Sequence, residues 1–198
     1  MTRIVLASKS SPRAAILAGA GVAFEVVGSG VDEGALKARL LEDGLGPREI
    51  AGQLAEAKAA RVSALAPDAI VIGADQTLDL DGVLFDKAEA MDEARGRLVG
   101  LRRRTHRLHS AVAAARGGAV VWRVSESPAL TMRDFSDAFL DGYLERGGAD
   151  LLGSVGCYML EGEGAQLFER VEGDYFAVLG LPLLPLLDFL RREGALAA

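Results

Sequence analysis

Cysteine is nearly missing from this 198-residue chain. Cys157 stands alone, so no disulfide can form within the molecule, and a reducing compartment fits that usage. An excess of positive charge is missing too. With 28 acidic and 22 basic side chains the net charge is −6, which argues against a general nucleic-acid binder and leaves room only for a local basic pocket. Long apolar runs are absent. The opening Ile4-Val5-Leu6-Ala7 is far too short for a signal-peptide core, and Leu179 to Leu187 is broken by prolines before Asp188 ends it. No 18-residue apolar span exists, so no membrane crossing is expected and a soluble, cytoplasmic protein is. There is no Walker A signature and no G-x-G-x-x-G after a strand, which removes the P-loop and nicotinamide readings.

What is present is a globular composition, half apolar and a quarter charged. A chain of this length buries roughly 70% of the surface its unfolded form exposes, so it needs neither staple nor metal to fold. No linker, low-complexity segment or internal repeat divides it, and residues 1–198 are expected to form a single domain.

The pattern predicts a mixed α/β chain. Ile4 to Ala7 reads as a buried strand, followed by a hydroxyl-rich loop and an alanine-rich helix with Ser11 as N-cap and Pro12 as first helical residue. Phe24 to Val27 reads as a second strand and Ala35 to Leu41 as a polar helix. Pro47 opens a longer helix through Leu65, with Ile50, Leu54, Ala57 and Val62 on one face. Ala69 to Gly73 suits a strand buried on both faces, ending at Ala74-Asp75-Gln76. Asp81-Gly82 between two apolar runs is a strong hairpin signal. Asp92 is expected to cap a helix to Leu101, and Thr105 to Arg133 to form one long hairpin about Gly117-Gly118. Ser136 caps a further helix, short strands fill Gly147 to Gly173, and a terminal helix spans Leu183 to Arg192.

Several constellations could carry chemistry. Ser8-x-Ser10-x-x-Arg13 follows the first strand and opens a helix. Hydroxyls, free N–H groups and a guanidinium there make either an anion site or an ordinary capped junction. Asp75, after Gly73 and Ala74, would lie just past a buried strand. There it could activate water or hold a cation with small neighbours admitting substrate, or it could simply close a turn. Glu33, Lys58 and Lys87 are single charges at element ends that could join Asp75 in a mixed pocket or lie in solvent. Arg102-Arg103-Arg104 reads as a solvated basic run. His106 and His109, three apart in a strand, point to opposite faces, which argues against a shared metal. Cys157 and Trp122 read as core residues.

In order along the chain stand Leu6-Ala7-Ser8-x-Ser10-x-x-Arg13, Val31-Asp32-Glu33, Leu54-Ala55-x-x-Lys58-Ala59, Gly73-Ala74-Asp75, Lys87-Ala88, Thr105-His106, Glu161-Gly162-x-Gly164 and Glu172-Gly173-Asp174-Tyr175-Phe176-x-Val178-x-Gly180-Leu181-Pro182-Leu183. Together, from Ile4 to Leu190, they resemble the Maf (septum formation inhibitor) family of nucleoside triphosphate pyrophosphatases. The resemblance implies an α/β fold like that of the inosine triphosphate pyrophosphatases, with a mixed central sheet and a cleft between two lobes. It implies hydrolysis of a nucleoside triphosphate to monophosphate and pyrophosphate, assisted by Mg²⁺ or Mn²⁺. Asp75 would be the proton acceptor for the attacking water. Glu33 and Asp75 would hold the metal, and Ser8, Ser10, Arg13, Lys58 and Lys87 would bind phosphate.

The sequence departs from the family at two informative places. The position of the family's first arginine, in its usual Ser-x-Ser-Pro-Arg-Arg, is Pro12 here. The branch acting on dTTP and UTP carries that arginine and a glutamine at the Glu161 position. The branch acting on 7-methyl-GTP carries a tryptophan at Pro12 and a glutamate at Glu161. Glu161 therefore suggests a guanine-type or modified purine base, whose ring N–H and amino groups it would accept from, without a tryptophan to stack on it. Ala88 stands where the family has a proline. Two other functions compete: a non-catalytic nucleotide-binding regulator of cell division and septum formation, and a phosphatase releasing orthophosphate from the same pocket. A homodimer is allowed, on no more than how common such assemblies are.

Overall fold

The computed structural model describes residues 2–197. Its centre is an eight-stranded mixed sheet. Strand β1 (Arg3–Leu6) runs parallel to β2 (Glu25–Val26) on one side and to β3 (Ala69–Leu80) on the other. β3 pairs antiparallel with β5 (Thr105–Arg116), register unbroken from Val71↔Ala115 to Asp79↔Arg107. β4 (Val83–Phe85) folds back on the far end of β3. The turn between them is the expected Asp-Gly hairpin: Asp81 and Gly82 both have positive φ, 55° and 84°.

β3 and β5 are each twelve residues long, and different strands flank their two halves. β1 covers the first half of β3 and β6 (Ala119–Glu126) the second half of β5. β4 covers the end of β3, while β7 (Ala129–Met132) and then β8 (Phe168–Glu172) extend the start of β5. Two lobes result, each with its own core. One gathers Ile4, Leu6, Leu17, Ile70, Ile72 and Phe189, with Trp122 stacked on Phe189 at 4.8 Å. The other gathers Leu78, Leu98, Leu108, Leu130, Phe135 and Leu140.

Helices cover both faces of the first lobe, which is why β1 and the start of β3 read as unbroken apolar runs. Helix α1 (Ser11–Gly19) and α7 (Leu183–Arg192) pack on one face, α3 (Pro47–Ser63) on the other. The α3 contact is made of small residues: Ala51, Ala55 and Ala59 lie on Ala111, Ala113 and Ala115. Both ends of α3 are tied down. Thr77 donates to the Pro47 carbonyl at 2.8 Å, and Gly118 N–H donates to Ser63 at 2.9 Å. The remaining helices are α2 (Glu33–Glu42), α4 (Met91–Leu101), α5 (Asp137–Gly147) and the single turn α6 (Tyr175–Val178). Ser136 caps α5, as expected.

The structure revises several boundaries. The N-cap of α1 is Ser10, and Ser11 is its first helical residue. Helix α2 starts at Glu33, because Asp32 accepts from Ala35 N–H at 2.9 Å and so fixes the first turn. Helix α4 begins at Met91, with Asp92 and Glu93 in its first turn rather than at the cap. The long second arm after Gly118 is two strands, not one. Pro128 has no N–H for the ladder, and the chain breaks at Ser127-Pro128 before resuming as β7. Between Gly147 and Gly173 there is one strand, β8, and two 3₁₀ turns.

One core residue makes stability depend on pH. His106 is 1% exposed, shares a 2.6 Å hydrogen bond between Nε2 and Tyr158 Oη, and has no partner for Nδ1 among the described residues. Burial pushes its pKa down to about 4 from 6.5. Between those values the unfolded chain binds a proton that the native ring refuses, so stability falls on acidification through that window. Going from pH 7 to pH 5 should cost the wild type about 2 kcal/mol more than a His106→Gln variant. Urea unfolding at the two pH values measures this, and equal losses would refute it.

Candidate active site

The two lobes meet at Gly73-Ala74-Asp75-Gln76-Thr77 in the middle of β3. β1 has ended before this stretch and β4 has not yet begun. The expected strand end at Asp75 is therefore corrected: Asp75 sits inside β3, paired with Ala111 of β5. Gly73 does not end the strand. A Cβ on it would lie 2.2 Å from the Ala55 carbonyl oxygen and 2.6 Å from Ala59 N. The glycine lets α3 approach the sheet, and Ala74 is wholly buried in the opposite core. Neither residue gives substrate a path, as the sequence had suggested they would.

That close approach delivers Lys58 to Asp75. Lys58 is 4% exposed, and its ammonium lies 2.6 Å from Asp75 Oδ1 and 2.8 Å from Glu33 Oε2. Asp75 is itself 8% exposed, while Glu33, at the start of α2, is about half open to solvent. The group is thus closed at the sheet and open at the α2 side. Lys58 has three N–H donors and gives two to carboxylates.

Ser8, Ser10 and Arg13 come in from the other flank. Ser8 Oγ accepts from Ser10 N–H at 3.2 Å and from Arg13 Nη1 at 3.4 Å. The Ser10 hydroxyl makes no capping bond, which leaves it and the first turn of α1 available to a ligand. Arg13 donates from Nη1 to the Ala74 carbonyl at 3.0 Å and from Nε to the Gly180 carbonyl at 2.9 Å. It is therefore less a free fork than a charge built into the seam. Burial lowers its pKa, and the charges of Asp75 and Glu33 oppose that effect. Two carboxylates and two cations share the site.

Lys87 and Glu161 are not part of this cluster. Both are exposed, on the loop after β4 and on the segment before β8, without a partner among the described residues. Sequence reasoning missed Gln76. Its Nε2 donates to Ser110 Oγ at 2.8 Å and to the Ala177 and Val178 carbonyls at 3.2 and 3.0 Å, which fastens α6 to the sheet behind Asp75. The signal was there in principle, as a long amide side chain inside an apolar run. Two concavities, of about 450 and 410 Å³, lie beside α3 with β6 and beside α4 with Phe85, and neither is lined by Asp75. The Arg102-Arg103-Arg104 run is paired with Asp137, Asp134 and Asp81, so most of its field is cancelled locally.

The model of the Maf-like protein family matches residues 3–193. The chain belongs to the Maf family. A nucleoside triphosphate pyrophosphatase of Caulobacter vibrioides is 61% identical to this Maf chain over 196 residues, covering 99% of it and 98% of the relative. One from Maricaulis maris is 54% identical, covering 99% of each. A 7-methyl-GTP pyrophosphatase of Brucella abortus is 48% identical over 191 residues, 96% of each chain. Among the described residues, no helix is long and apolar enough to cross a membrane.

Proposed function

We propose that this chain hydrolyses a nucleoside triphosphate to the monophosphate and pyrophosphate, with the site at the seam of β3. The observation that carries the reading is the buried Asp75–Lys58 pair shared with Glu33, set beside Ser8, Arg13 and the start of α1. The names of full-length relatives at 48–61% identity agree with it.

The chemistry assigns each group a part. Lys58 fixes Asp75 Oδ1, and Oδ2 makes no hydrogen bond among the described residues. Asp75 Oδ2 takes the proton as a water oxygen bonds to the α-phosphorus. The bond from that phosphorus to the bridging oxygen breaks, and pyrophosphate leaves with the electron pair. The third N–H of Lys58, Ser10 and the charge of Arg13 receive phosphate oxygens. Lys87 and Glu161 reach the nucleotide from their loops, and Glu161 selects a guanine-type base by accepting its N–H groups.

Glu33 and Asp75 offer the hard oxygen donors that Mg²⁺ or Mn²⁺ takes. Among the described residues no group of three or more metal-ligating side chains forms, so phosphate oxygens and water would complete the shell. A bound cation would neutralise charge on the phosphates. The purely regulatory reading is not favoured, because the charged groups that hydrolysis needs are assembled rather than scattered. We place the protein in the cytoplasm, acting as one unit over residues 1–198 and binding a nucleotide rather than nucleic acid or membrane.

The test is product analysis. Purified protein with Mg²⁺ or Mn²⁺ meets a panel including GTP, 7-methyl-GTP, dTTP and UTP. Pyrophosphate and monophosphate are expected, fastest on a guanine-type base. Orthophosphate in place of pyrophosphate would establish the phosphatase, and a pyrimidine preference would overturn the role given to Glu161.

A further inference from the structure

We propose that Arg97 is a positioning residue that holds the Lys87 loop against the segment leading to Glu161. This role rests on the nucleotide reading above. Arg97 projects from α4 into the protein and is 8% exposed. Its Nη1 donates to two backbone carbonyls far apart in sequence, those of Asp86 and, at 2.6 Å, Val155. Nη2 donates to Glu93 at 2.9 Å, one helical turn back, and the guanidinium carbon lies 5.5 Å from the Phe85 ring centre.

One planar group therefore bridges the residue next to Lys87 and the stretch that runs on to Glu161. The same junction is reinforced around it. The Asp86 carboxylate pairs with Lys37 of α2, the helix that starts at Glu33. Cys157 is buried alongside, where burial raises its thiol pKa and the Arg97 charge and the Ala88 N–H oppose that rise. Cys157 also adopts a left-handed φ of 58°, a turn that the surrounding contacts must hold.

Packing alone does not account for arginine here. A buried guanidinium is costly unless its donors are met, and Nε has no hydrogen-bond partner among the described residues. An apolar side chain would fill the space without that cost. What arginine adds is charge-assisted bonding to two strands of backbone from a rigid plane, which lysine cannot copy. Lys87 and Glu161 are exposed and make no side-chain hydrogen bond or ion pair among the described residues. Their separation is set by the groups behind them, where Arg97 bonds both segments at once beside the Ala88–Cys157 contact.

The experiment pairs hydrogen–deuterium exchange with steady-state kinetics on full-length protein. Arg97→Lys should speed exchange in residues 86–88 and 153–162 together. It should raise KM about tenfold while kcat stays within about threefold, since misplaced binding groups weaken capture without touching Asp75. Glu93→Gln, at a half-exposed position, should show the same pattern with KM raised about threefold. It carries the test if Arg97→Lys does not fold. Unchanged exchange in either segment, or kcat lost at constant KM, overturns the proposal. Exchange is read without substrate. A wild type with no turnover would therefore sink the nucleotide reading, while the exchange data still decide whether Arg97 joins the two segments.

Discussion

Asp75→Asn should cut pyrophosphate release by about 10²–10⁴-fold while the protein stays folded and still binds nucleotide. The exchange removes the proposed proton acceptor and one of the two carboxylates offered to a cation. An asparagine oxygen can still accept from Lys58 across the 2.6 Å contact, and Lys58 keeps Glu33 as its counter-charge. Glu33 remains as a shared counter-charge for Lys58 and Arg13, so only part of the penalty of breaking a buried pair should arise. The thermal midpoint should move by a few degrees at most. Rates measured with and without the substitution, beside nucleotide titration by calorimetry, check both halves. Unchanged turnover would show that another group accepts the proton. Lost folding would show that the Asp75 charge is structural.

Gly73→Ala should damage fold and site together. The new Cβ meets the Ala55 carbonyl oxygen and Ala59 N, which are backbone atoms and cannot swing aside. Helix α3 has to lift from the sheet, at a cost of about 3 kcal/mol or more. For a chain of this size that is roughly 6–12 °C in Tm. Because α3 carries Lys58, the lift also draws the ammonium from Asp75. Turnover should fall even at temperatures where the variant is still folded. Gly52→Ala on the same helix is the control. Nothing lies within 4 Å of its Cβ position, and replacing a helical glycine should add up to about 1 kcal/mol. Scanning calorimetry on the two variants should therefore give shifts of opposite sign.

The charged group was readable in the sequence where a local rule placed it. Ser8, Ser10 and Arg13 follow from a strand running into a helix, whereas Lys58 reads in the sequence as a single charge at an element end and stands instead inside α3, on its buried face. Asp75 was found for a reason that turned out to be incomplete. Gly73-Ala74 looks like the end of a strand because glycine usually weakens one. Here it marks a helix crossing the sheet, a tertiary fact that no window of sequence contains. The break at Ser127-Pro128 was legible in principle, since proline cannot donate to a ladder, but the long alternation around it hid the stop. Arg97 was not legible. Four residues after Glu93 it has the spacing of an ordinary solvated helix pair, and only the packing of α4 reveals that it points inward.

The continuity of β3 and β5 has a mechanical consequence. Both strands pass through both lobes, joined by an unbroken ladder from Val71 to Asp79. The lobes are therefore not two bodies on a swivel. Rotating one against the other would shear that ladder, breaking paired backbone inside the molecule. The floor of the proposed site behaves as a stiff beam. Admission of substrate and escape of product then fall to the loops at its edge, residues 86–90 and 153–162. The slowest step in turnover should track the stiffness of those loops rather than any opening of the lobes.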